Sequence, residues 1–138
     1  MLELKNAIDA KILDSTVYWT VGGRVYYNSA PTDEYPRIVY SRVSGVPDNA
    51  FAKTGESVLI QFDLFSMVSA GGIEILTMES QLKSLLDDCV LTISGQLCVG
   101  FQRKNIVGDM VEDLSALQDG SSLVTHTAID YECTYQAV

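Results

Sequence analysis

The chain contains one histidine, His126, and three cysteines, Cys89, Cys98 and Cys133. These are the side chains that could start acid–base, nucleophilic or metal-centred chemistry, and their spacing argues against all three. His126 and Asp130 share one face of an expected strand but stand roughly 13 Å apart at ~3.3 Å per residue. At that separation the carboxylate cannot orient the imidazole as a general base. A zinc site needs closely paired ligands, whereas the cysteines are dispersed and fall on apolar positions of expected elements. They read as buried, reduced thiols. Asp87-Asp88 ends an expected helix and reads as a solvated pair, not the opposed carboxylates of a glycosidase. Gly22-Gly23 and Gly71-Gly72 lack the lysine and hydroxyl residue of a phosphate-binding loop and the context of a dinucleotide fingerprint. Gly71-Gly72 does precede a helix, but Glu74 in the first turn already uses that dipole. The expectation is a chain with no catalytic residue, no metal ligand and no cofactor, and therefore not an enzyme.

Charge narrows the partners. Nine basic residues face eighteen acidic ones, for a formal charge of −9, and the longest basic cluster is Arg103-Lys104. Gripping a nucleic acid requires lysines and arginines that displace phosphate counterions, so tight binding is excluded. An acidic surface can still lie beside DNA without adhering to it, because like charges repel within a Debye length of ~8 Å. At 138 residues, 47% hydrophobic and 20% charged, the chain suits a single domain with an ordinary core. No apolar run approaches the ~20 residues of a membrane span. The mixed charges of Met1-Leu-Glu-Leu-Lys-Asn6 do not make a signal peptide. A cytoplasmic site of synthesis is expected.

The elements that must position these residues centre on Ser57–Cys89. Val58, Ile60, Phe62 and Leu64 alternate with polar residues, as on a half-buried strand. After Ser69-Ala-Gly-Gly72 the period changes: Ile75, Met78, Leu82, Leu85 and Cys89 form one helical stripe. Neither element can bury its apolar face alone, so the helix should lie on a sheet containing the strand. The whole reads as an α+β domain, a mostly antiparallel sheet of four to five strands packed by an N-terminal and a central helix. Helices are expected at 1–14 and 72–89, and strands at about 24–27, 37–44, 57–66, 95–104 and 123–136. Val17–Val21 reads as a short strand or an extended linker, and Gly45–Gly55 as a long hairpin loop.

Residues 105–122 are expected as a long loop or arm. Val107, Val111, Leu114 and Gln118 have helical spacing, Asp109 and Glu112 resemble a capping box, and Gly120 could close a short helix. Two readings stay open: a flap over a sheet edge, or a docking arm that presents Met110, Val111 and Leu114 to another subunit. Exposed apolar residues on an acidic protrusion need something to cover them.

Gly22-Gly-Arg-Val-Tyr26, Ala30-Pro31 and Tyr35-Pro-Arg-Ile-Val-Tyr-Ser-Arg-Val-Ser-Gly45, followed by Gln61-Phe-Asp-Leu-Phe65, a leucine-rich helix and an aromatic last strand, run in order along nearly the whole chain. This order resembles the tail-completion, or tail-terminator, proteins of long-tailed bacteriophages. The resemblance implies a structural part of the virion: a ring, usually of six copies, at the head-proximal end of the tail tube. Such a ring ends tube growth and joins tail to head through a head-completion protein, with DNA passing its lumen unbound. Arg24, Arg42, Asp109, Met110, Val111, Glu112, Asp113 and Leu114 are then the candidate subunit or tail-tube contacts, with Arg37 and Arg103 as further ion-pair candidates. The alternatives are a head-side stopper or adaptor of the same neck and, further off, a small ligand-binding or enzymatic domain.

Overall fold

A computed structural model describes residues 1–48, 55–113 and 123–137. In chain order the elements are α1 (Leu2–Ile12), α2 (Thr16–Thr20), β1 (Val25–Tyr27), β2 (Arg37–Asp48), β3 (Gly55–Met67), α3 (Gly72–Leu86), β4 (Gln96–Asp113) and β5 (Leu123–Ala137). The strands form one sheet in the order β1-β2-β3-β5-β4. Only the β1–β2 pair is parallel; the other three are antiparallel. The α+β expectation holds.

The alternation of β3 decides which face is buried. Val58, Ile60, Phe62 and Leu64 are closed to solvent, and Ile129, Tyr131 and Cys133 of β5 and Ile38 and Tyr40 of β2 join them. Leu4, Ile8 and Ile12 of α1 and Ile75, Met78, Leu82 and Leu86 of α3 complete the same core. Both helices thus cover one face of the sheet and leave the other open. An aromatic row crosses all five strands inside this core. Its members are Tyr27, Tyr40, Phe62, Tyr131 and Phe101, with successive ring centres 5.3, 5.4, 5.7 and 5.0 Å apart. Such pairs add to stability beyond the area they bury. Two hydroxyls of the row fasten the helices. Tyr40 donates to the Asp9 carboxylate on α1, and Tyr131 donates to Asp87 Oδ1, just past α3, at 2.6 Å. Burial is the main force pushing both phenols well above the usual tyrosine range, and the bonds to carboxylates add to it.

The structure departs from the sequence expectation in three places. Val17–Val21 is neither strand nor linker: Thr16–Thr20 is a single helical turn or so, capped by Ser15, whose Oγ accepts from the Tyr18 amide at 3.3 Å. A serine cap supplies the partner that the first helical amides lack, which offsets the strand preference of Val17, Tyr18 and Trp19. Gly45–Asp48 belong to β2, not to the hairpin loop. The largest difference concerns 105–122. Asn105–Asp113 continue β4, pairing with β5 from Asn105↔Asp130 to Asp113↔Leu123. They are strand, not loop or helix, so no helix starts at Asp109. The strand escaped notice because β4 is bulged between Cys98 and Gly100, Arg103 and Asn105, and Val107 and Met110. Each bulge inserts a residue and resets the period of two, so a strand can imitate helical spacing. Leu114, Gln118 and Gly120 lie outside the described residues.

Candidate assembly interface

At the Glu112–Val124 end of the β4–β5 hairpin, β4 is the edge strand and β5 lies between it and β3. This end of the hairpin holds most of the expected contact residues. Val111 is 62% exposed, Val107 is exposed, and Met110 is half-buried opposite His126. Asp109 falls in the bulge between Val107 and Met110, and Asp113 pairs with Leu123. Leu114 is outside the described residues. Glu112 pairs with Val124 and turns its carboxylate to His126, Oε1 lying 2.8 Å from Nδ1.

His126 links β3, β5 and β4 on the open face. Arg37, Phe65, His126 and Met110 occupy one row across β2, β3, β5 and β4. The imidazole stacks on Phe65 at 4.5 Å between centres, 17° from parallel. Its Nε2 lies 2.7 Å from Asp63 Oδ1, which also accepts from the Gln61 side chain at 2.9 Å. Asp63 pushes the His126 pKa up most; burial opposes this, and Glu112 adds to the rise. Asp63 sits across from Ala128, so it meets His126 diagonally. Both partners of His126 come from neighbouring strands, so spacing along β5, which points to Asp130, does not reveal them. Asp130 itself keeps one oxygen, Oδ1, shut from solvent without a hydrogen bond. Burial and the nearby Asp63 charge raise its pKa.

The arginines divide. Arg24 folds back from the Gly22-Gly23 turn, where φ is +60° and +76°, onto the loop before β2. Its Nε and Nη2 donate to the Pro36 and Tyr35 carbonyls at 2.8 and 3.2 Å, so it ties chain to chain within one molecule. Arg37 lies over the rings of Tyr35 and Phe65 and donates to the Thr32 carbonyl at 2.6 Å. Arg103 pairs with Asp87 at 3.3 Å, so Asp87, expected as solvated, anchors Tyr131 and Arg103 together. Arg42 is exposed at the edge of β2, opposite Ile60.

A second surface carries no residue singled out by spacing. The exposed positions of α3 are Gly72, Ile73, Leu76, Thr77, Ser80 and Ser84, none of them charged. Ile73 is 81% and Leu76 53% exposed. The neighbouring α2 is likewise uncharged and exposes Trp19 at 65%; Thr20 donates to Gln81 of α3 at 2.7 Å, joining the two helices. An uncharged, partly apolar helical face is unexpected on a chain of net −9. It was legible as the residues left over once the core stripe of α3 was taken. Among the described residues, no group of three His, Cys, Asp or Glu is placed to hold a metal ion.

No protein-family model and no curated protein matches the sequence. Solved structures do share the fold. One is a chain of a structure described as the virion of a native gene transfer agent particle, 10% identical, with a TM-score of 0.69 over 96% of this chain and 97% of that one. Another solved chain is 12% identical, with a TM-score of 0.52 over 97% of this chain and 95% of its own.

Proposed function

We propose that this chain is a structural protein of a phage-like virion, and within that class a tail-terminator: a ring on the head-proximal end of the tail tube that stops polymerisation and receives the head. The observation that carries the reading is the fold, shared end to end with a chain of a gene transfer agent virion, a phage-like particle. The motif order from Gly22 to Gly45 and through Gln61–Phe65 narrows it to the terminator.

Two unlike surfaces on one molecule suit a ring. A head-to-tail contact joins different patches of successive copies and closes when the rotation between them fits. The β4–β5 end offers Val107, Val111 and Glu112; the α2–α3 face offers Ile73, Leu76 and Trp19. The uncharged face is where copies of net −9 can approach without like-charge repulsion. Six copies, a contact with the tube protein, a second contact with a head-completion protein, an acidic lumen that lets DNA pass, and a place in the neck of the virion all belong to this reading. It involves no bond made or broken.

The test is to mix the purified chain with tail tubes and, separately, with filled heads. Capping of one tube end, with loss of further tube growth, supports the terminator. Binding to heads and not to tubes favours the head-side stopper or adaptor instead.

A further inference from the structure

We propose that His126 is a protonation-controlled latch, tying the end of β4 through Glu112 to the open face of the sheet through Asp63, and so governing how the Met110–Glu112 segment is presented. The function of that segment rests on the assembly reading above; the latch itself rests on geometry. Both ring nitrogens of His126 face carboxylate oxygens, Nε2 to Asp63 at 2.7 Å and Nδ1 to Glu112 at 2.8 Å. A carboxylate can only accept, so both contacts are hydrogen bonds only when both nitrogens carry protons, that is, in the imidazolium. The neutral ring has one N–H. It stays on Asp63, the more sheltered carboxylate at 18% exposure against 45% for Glu112. The Nδ1 lone pair then faces Glu112, and attraction becomes repulsion.

From β3 come Asp63, supported by Gln61, and the Phe65 ring; from β4 comes Glu112. Arg37 lies over the rings of Phe65 and Tyr35, the Tyr35 hydroxyl feels the Glu112 charge, and Asp130 of β5 lies near Asp63. The two carboxylates dominate. They raise the folded-state pKa above the usual histidine value of 6.5. A raised histidine contributes stability that is complete below its unfolded value and is lost as pH climbs through the folded one. The latch is therefore closed below the ordinary histidine value and opens as pH rises through the raised folded-state one. What it holds is the end of the edge strand β4, which pairs with β5 on one side.

The test uses the intact chain, in which a single histidine gives a single imidazole C2–H resonance. Its midpoint should lie above 6.5. Hydrogen exchange of segment 107–113, corrected for the intrinsic pH effect, should lose roughly tenfold or more of its protection between a pH below that midpoint and one above it, the scale of one charge-assisted bond. The segment around Phe62 should not change. His126→Gln should abolish the pH dependence. Glu112→Gln should keep the segment protected at both pH values, because its amide can accept from an N–H or donate to the lone pair. A midpoint at or below 6.5, a flat wild-type profile, or the same fall in His126→Gln would overturn the latch. An exchange loss that follows His126, with tail tubes uncapped at every pH, would support the latch and refute the assembly reading instead.

Discussion

Leu76 and Leu82 lie on the same helix with opposite fates, and substituting each separates folding from assembly. Leu82 is completely buried among the core residues of the sheet, whereas Leu76 is 53% exposed on the uncharged face. Leu82→Ala removes a buried side chain and leaves a cavity, costing about 2–5 kcal/mol. Against a domain's usual total of ~5–15 kcal/mol, and at about 4 °C per kcal/mol for a chain of this size, melting should fall by roughly 8–20 °C. Leu76→Glu leaves the core untouched, and stability should stay within about 0.5 kcal/mol. It also puts a charge into the one helical face that has none. Thermal melting followed by circular dichroism reads the first effect, and tail capping by negative-stain microscopy the second. A folded Leu76→Glu variant that caps tubes as well as the wild type would refute the assignment of the α2–α3 face. A Leu82→Ala variant that melts within 3 °C of the parent, against the drop expected above, would refute the packing on which the fold rests.

Other outcomes follow from single contacts. Val107 and Val111 changed together to Ser should cost at most about 1 kcal/mol, since both are exposed, yet abolish capping; a collapse of the melting transition would make these side chains core. Asp130→Asn removes a charge that burial disfavours. Because the folded-state pKa is raised, the gain of up to about 1 kcal/mol, discounted for solvent access, should be present at pH 7 and vanish as the carboxyl protonates in acid; chemical denaturation at several pH values measures it. Tyr40→Phe deletes the hydroxyl that donates to Asp9 and the Lys5 carbonyl of α1. It should cost about 1 kcal/mol and speed exchange in α1 before β3.

The parts of the fold that could be read in the sequence are those with an unbroken period. β3 alternates without interruption from Val58 to Leu64, and the Ile75–Leu82 stripe stays in phase along α3, so strand, helix and their packing all followed. β4 could not be read to its end, because its bulges shift the alternation and disguise Val107–Asp113 as helix. α2 was missed because its helicity depends on one serine cap and on packing against α3, neither of which has a period. The same limit applies to the site. His126 was visible, but Asp63 and Glu112 become its neighbours only through the β3–β5 and β4–β5 registers. Spacing within one strand holds no information about them. Arg24 was expected at a subunit contact, and only the Gly22-Gly23 turn, which spacing does not reveal, aims it at the Tyr35 and Pro36 carbonyls.

The most direct measurement is cryo-electron microscopy of the wild-type chain incubated with purified tail tubes. The account predicts a closed ring of copies on one end of every tube, adjacent copies meeting through the α2–α3 face and the β4–β5 end, and no tube elongation afterwards. Bare tube ends that continue to elongate with the folded protein in excess would contradict it.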